Sequence, residues 1–295
     1  MNLFRSTLCL AATAFAAASA SAAPTQLHYT FDDLSVGGFD ASDLNPAPSL
    51  AHKESNGYVA SWGGDKHLKV NYDANVAGVA NGSGLRFFTD LHPRDQYFFS
   101  YKVRFEPGFE WVEGGKLPGL AGGDSAAGGR PADGDGWTAR KMWKQGGELV
   151  PYVYHMDKPG DFGHTMGGTD EFFQTGRWYQ ITSRVKLNTG NNKNGIYQLW
   201  LDGDLIEDRR NIRYRNNDQA LIDSFHFETF FGGSGPSASP SSAQTVRFDD
   251  VRVGTTLAFA ANGAVATGSI IILPEPALAE LVVPAALLLV RRRGA

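Results

Sequence analysis

The stretch Phe99-Ser100-Tyr101-Lys102-Val103-Arg104-Phe105 alternates without a break, with Phe99, Tyr101, Val103 and Phe105 on one face and Ser100, Lys102 and Arg104 on the other. A period of two belongs to an extended strand with one face on a core and the other in water. Tyr179, Ile181, Val185 and Leu187 repeat the pattern against Gln180, Thr182, Arg184 and Lys186. Further strands are predicted over 26–31, 67–72, 137–143, 148–155, 196–201, 221–231 and 245–253. The segments between them are rich in turn residues: 188–195 (NTGNNKNG) reads as a hairpin loop and Asp202-Gly203 as a tight turn. No helical periodicity, internal repeat or charge block interrupts the series. Half-buried antiparallel strands without interleaved helices predict an all-β chain, a β-sandwich or jelly roll of two packed antiparallel sheets in a single domain. Residues 232–243 (GGSGPSASPSSA) resemble a linker, but only one or two strands follow, so the segment reads as a long surface loop.

Composition agrees with a folded chain: of 295 residues, 42% are hydrophobic and 20% charged, and 35 glycines accompany 12% aromatics. Both ends read as address labels. Residues 1–23 combine Arg5, an apolar run from Leu8 to Ala18 and small residues through Ala23, the pattern of a cleaved secretory signal peptide. The other end runs Pro274-Glu275-Pro276, then a mostly apolar segment over 277–290 broken by Glu280 and Pro284, then Arg291-Arg292-Arg293. That segment falls short of the roughly 20 apolar residues of a comfortable span, and its arginines would face the cytoplasm. The order resembles the PEP-CTERM sorting signal of Gram-negative bacteria that make extracellular polysaccharide. The resemblance implies exosortase-type processing machinery as a partner, transient membrane contact through the tail, and a final location outside the cell or in its envelope. The folded domain is therefore expected over 24–260, with 261–295 as linker and sorting tail.

The single cysteine, Cys9, lies in the leader, so a mature chain would have no disulfide, thiol nucleophile or thiolate metal site. Setting aside Arg5 and Arg291–Arg293, and Glu275 and Glu280, leaves 23 basic and 29 acidic residues over 24–273, a net of −6. Such a chain is a poor non-specific nucleic-acid binder, and an anionic substrate would need a local basic cluster.

Several chemistries lack their residues. A retaining glycosidase needs two carboxylates about 5 Å apart, often from one strand as Glu-x-Asp-x-x-Glu, and no such spacing occurs. Asp249-Asp250 and Asp32-Asp33 read as strand ends. The seven histidines form no zinc-binding pattern, and no Gly-x-Ser-x-Gly or phosphate-cradling loop is present. No metal or cofactor is expected.

What remains is concentrated in 114–155: GGKLPGL with Lys116, GGR with Arg130, GWTARKMW with Thr138 and Arg140, and PYVYH with Tyr152, Tyr154 and His155. On strands, Thr138 and Arg140 share a face, as do Tyr152 and Tyr154, which suits the wall of a wet groove. One reaction uses cations and tyrosines without a carboxylate pair, the β-elimination of a uronic acid polymer. The C5 proton is acidic only if charge on the adjacent carboxylate is neutralised as the enolate develops, a task for a fixed cation. A tyrosine can take that proton or give one to the departing O4. As base it would need its pKa, near 10, lowered by neighbouring cations.

These motifs, with GRWY at 176–179, GIYQLWLDG at 195–203, NIRYR at 211–215 and TFFGG at 229–233, resemble the alginate lyase-like members of polysaccharide lyase family 14. The resemblance covers roughly 85–253. It implies a concanavalin A-like jelly roll that cuts an anionic polyuronate, with Lys116, Arg140, Tyr152 and Tyr154 catalytic. Arg130, Thr138 and His155 are implied as substrate contacts, Thr138 standing where the family has serine. The loop between Lys116 and Arg140 lacks the cysteines some members carry there. Two other readings stay open: a related jelly-roll lyase acting on glucuronan, and a non-catalytic carbohydrate-binding protein of the envelope. Which tyrosine is base and which acid is not assigned by sequence.

Overall fold

The computed structural model describes residues 23–233 and 235–262. Residues 1–22 and 263–295, which hold nearly all of the expected leader and sorting tail, lie outside the described residues. Two antiparallel sheets face each other. The larger runs, in spatial order, Asp204–Ile212, Gly195–Leu201, Trp178–Lys186, Gln96–Phe105, Gln244–Gly254, Asp65–Tyr72, Gly57–Trp62 and Gly37–Gly38, with Leu27–Tyr29 added against Gln244–Gly254. The smaller runs Leu149–Tyr154, Gly136–Lys144, Gly114–Gly123, Ile222–Phe231, Leu85–Arg94 and Leu50–His52. This is the expected jelly-roll sandwich.

Alternation builds the core. Phe99, Tyr101, Val103 and Phe105 are completely buried between the sheets, and Lys102 on the opposite face reaches solvent to pair with Asp250. Ser100 departs from the pattern, because the short Leu257–Ala260 helix folds over it and it donates a hydrogen bond to the Ala260 carbonyl. Rings bridge the layers: Phe227 of the smaller sheet stands edge-on to Phe248 of the larger at 4.9 Å. Aromatic pairs of this kind add to the apolar area they bury.

A charged residue, Lys141, also lies in that core. Lys141 sits on the inner face of Gly136–Lys144, wholly buried, with Nζ 3.4 Å from the Phe99 ring centre and 3.4 Å from the Pro118 carbonyl. Burial holds its pKa well below the ordinary lysine range.

The turn at Asp202-Gly203 forms as expected, both residues having positive φ (51° and 95°), as a two-residue hairpin of the primed type requires. The glycine-rich Gly114–Gly123, which is not among the strands predicted from alternation, is a central strand. Glycine is required where neighbours press close: a Cβ at Gly119 would lie 2.3 Å from the Ala139 carbonyl oxygen and 2.6 Å from Arg140 Cγ. Pro118, which has no N–H to offer, lies where pairing slips between Leu117 and Leu120.

Candidate active site

The inward side chains of the smaller sheet belong to the core, so the intervening residues face outward. Register then sets them side by side. Tyr152 lies opposite Arg140 and Tyr154 opposite Thr138, Lys116 opposite Met142, and Glu228 opposite Arg86. The structure thus brings Lys116, Arg140, Tyr152 and Tyr154 together from three adjacent strands.

Arg140 extends over the bare Gly119 backbone to Glu228, donating from a terminal guanidinium nitrogen to Oε2 at 2.6 Å, with both side chains almost fully buried. Burial pushes the Glu228 carboxyl up, and Arg140, His226 and Arg86 more than reverse the effect, so its pKa ends below the usual carboxylate range. Arg140 Nε is buried with no hydrogen-bond partner, and the guanidinium stands 5.7 Å from the Tyr152 ring centre. Lys116 Nζ lies 4.0 Å over that same ring and 3.1 Å from the Met142 sulfur, a weak acceptor. Gly232 leaves room for it, since a Cβ there would come within 3.1 Å of Nζ. Burial, then Arg140, then Lys144 drive the Lys116 pKa well below the lysine range, with Glu228 opposing.

Tyr152 shifts the other way. Burial and the neighbouring Tyr154 phenol push it up to about 12, and the Gly163 backbone N–H and then Arg140 recover only part of the shift. The expected cation-lowered tyrosine is therefore not found at Tyr152, because its hydroxyl is shielded while the cations lie toward its ring face. The two rings meet edge to face at 5.8 Å, and the Tyr154 hydroxyl accepts from the Gly129 N–H at 3.2 Å.

The three expected substrate contacts take other partners. Thr138 is buried and donates its hydroxyl to the Ala126 carbonyl at 2.9 Å, tying down the loop that follows Gly123. Arg130, on that loop, is exposed and donates to the carbonyls of Asp124 and Ser125. His155 pairs through Nε2 with His164 Nδ1 at 3.0 Å and borders a cavity of about 280 Å³ that is also lined by Asp157, Lys193, Arg209 and Asn211. Sequence reasoning missed Glu228, His226 and Met142. The signal was present in Phe225-His226-Phe227-Glu228, where polar residues alternate with core phenylalanines as the tyrosines do around Val153. Among the described residues, no group of three or more His, Cys, Asp or Glu is placed to hold a metal ion.

Solved structures with this architecture define the class. Alginate lyase Aly36B superposes with a TM-score of 0.72 at 30% identity, covering 79% of this chain and 98% of its own. A lysine and tyrosine double variant of the same enzyme, solved with an alginate tetrasaccharide, matches with a TM-score of 0.72 at 29% identity over 80% of this chain and 98% of its own. The marine PL-14 alginate lyase of Aplysia kurodai shares the fold, with a TM-score of 0.65 at 21% identity over 80% of this chain and 100% of its own. The protein is a jelly-roll polysaccharide lyase. The family model described as Polysaccharide lyase 14 matches residues 61–251, so the chain belongs to polysaccharide lyase family 14. No curated protein matches it.

Proposed function

We propose that the protein cleaves an alginate-like polyuronate by β-elimination on the outer face of the smaller sheet. The observation that carries this reading is the convergence of Lys116 and Arg140 on the Tyr152 ring, Nζ 4.0 Å from its centre and the guanidinium 5.7 Å, with the arginine locked by Glu228; burial lowers Lys116 and raises Tyr152 in the directions the reaction needs. Arg140, with its Nε unpartnered, meets the uronate carboxylate and stabilises charge as the enolate forms. Lys116, deprotonated, takes the C5 proton. The electron pair of that C–H bond forms the C4–C5 double bond, the C4–O4 bond breaks, and the departing oxygen receives a proton from Tyr152, which its raised pKa keeps protonated. Tyr154, held by Gly129, keeps Tyr152 in place. The role of base thus passes from tyrosine, where the residue types put it, to Lys116. A panel of alginate, glucuronan, hyaluronan and pectate, followed by the ultraviolet absorbance of the new double bond, tests the reading. Alginate is expected to give the strongest signal. A folded protein that binds a polysaccharide yet cleaves none would instead be a carbohydrate-binding protein.

The proposal extends to sorting. Residues 1–23 act as a secretory leader, and the tail from about Pro274 is removed by an exosortase-type enzyme, leaving the domain outside the cell or in its envelope. The residue patterns at the two ends support this. Mass spectrometry of protein from its native host is expected to find neither end, and an intact Arg-Arg-Arg-Gly-Ala terminus would overturn the processing.

A further inference from the structure

The outward face of the smaller sheet does not end at Glu228. Glu228 is in register with Arg86 on Leu85–Arg94, and Arg86 with His52 on Leu50–His52. Arg140, opposite Tyr152, reaches Glu228 through its side chain, so the register-matched Glu228, Arg86 and His52 continue the site as one row of polar side chains toward the far edge of the sheet. With strands spaced at about 4.8 Å, the backbone of Arg86 lies three strands, about 14 Å, from that of Arg140, the length of a few pyranose units.

The far end of this row is unsatisfied. Arg86 Nε and His52 Nε2 are both shielded from solvent without a hydrogen-bond partner. The guanidinium of Arg86 leans on the Phe88 ring at 5.7 Å and feels Glu228, but that carboxylate is already engaged by Arg140. Shielded polar nitrogens without a partner are costly and uncommon in folded proteins, unless a ligand supplies one. Phe88, stacked face to face on His226 at 3.7 Å, gives this end a flat floor, and Leu50 beside it is 43% exposed.

We infer that Arg86 and His52 form a second carboxylate subsite, which holds a uronate unit of the same polymer chain a few sugars from the bond being broken. Arg86 binds the carboxylate with its planar fork and His52 adds a donor from the neighbouring strand. The inference rests on the polyuronate reading above and adds the direction of the bound chain, across the strands from Tyr152 toward His52.

Two measurements test it. Kinetics on oligouronates of increasing length are expected to show that Arg86→Gln raises KM at least about tenfold for chains long enough to span the row, with the loss vanishing for the shortest chain cleaved. His52→Gln should show the same length dependence more weakly. Calorimetry on the Lys116→Ala protein should show affinity stepping up as oligouronates lengthen, and the step should disappear when Arg86→Gln is added. Neutral oligosaccharides of the same lengths should show no step. Folding is checked by thermal melting, and His52→Gln stands in if the arginine variant does not fold. A loss equal at every length, or no loss from either variant, overturns the subsite. A wild-type protein that cleaves no polyuronate overturns the lyase reading instead, and the calorimetry still decides whether the row binds carboxylates.

Discussion

Lys116, Arg140 and Tyr152 differ in which of them can change charge near neutral pH, and that difference can be measured. If Lys116 must lose its proton, the rising limb of the pH–rate profile follows it and lies below the ordinary lysine range, because burial and Arg140 lower its pKa. Arg140→Gln removes one positive neighbour and takes from Glu228 its closest ion-pair partner. Both changes favour the protonated amine, so the limb should move to higher pH. That variant also breaks a buried ion pair, which costs about 3–5 kcal/mol, so urea unfolding must accompany the rates. Lys116→Arg separates the two roles a cation can play, since an arginine keeps its charge but cannot give up a proton. It should lose on the order of 10²-fold or more in kcat, close to Lys116→Ala; a variant that keeps most of its rate would return Lys116 to charge neutralisation alone. That residues 116, 140, 152 and 154 would meet on one face was legible from their period-two spacing within neighbouring motifs. The partners of Thr138 and His155 were not, because the Ala126 carbonyl and the His164 ring are brought up by loops whose course a short motif does not encode.

Among the elements, Gly114–Gly123 decides whether the site assembles. Strand propensity argues against it, since glycine and proline are depleted in strands, and the alternation that reveals Phe99–Phe105 is missing. Its reasons are tertiary: Gly115 makes room for the Trp143 ring and Gly119 for the Arg140 stem. Gly119→Ala should therefore destabilise the sandwich by about 1–3 kcal/mol through overpacking. Because the new methyl would press on Arg140 Cγ, kcat should also fall under conditions where the variant is fully folded. Unchanged turnover in the folded variant would mean that Arg140 can reach Glu228 by another route. The Asp202-Gly203 turn was readable for the opposite reason, its backbone being set by two residues alone.

For the whole molecule, buried histidines tie stability to pH. Burial lowers His226 to about 4, with Arg140 and Arg86 assisting and Glu228 opposing, and His155 also lies at about 4 through burial and His164. Both groups bind protons more readily in the unfolded chain, near pH 6.5. Stability should therefore fall as pH drops below about 6.5 and level off below about 4, His226 contributing on the order of 3 kcal/mol. His226→Phe, which preserves the stack on Phe88, should flatten that slope in thermal melts between pH 7 and pH 4. An equally steep slope in the variant would place the acid sensitivity elsewhere. The sandwich itself was legible from strand alternation, because burial between two sheets imprints a period of two on any strand with one wet face. Lys141 breaks that imprint, and its position has a practical use. An amine enclosed by Phe99 and the Pro118 carbonyl is out of reach of acylating reagents until the two sheets part. Modification at Lys141 would thus count global openings while surface lysines react at once, and peptide mass mapping over time would make this side chain an internal clock for the life of the folded enzyme.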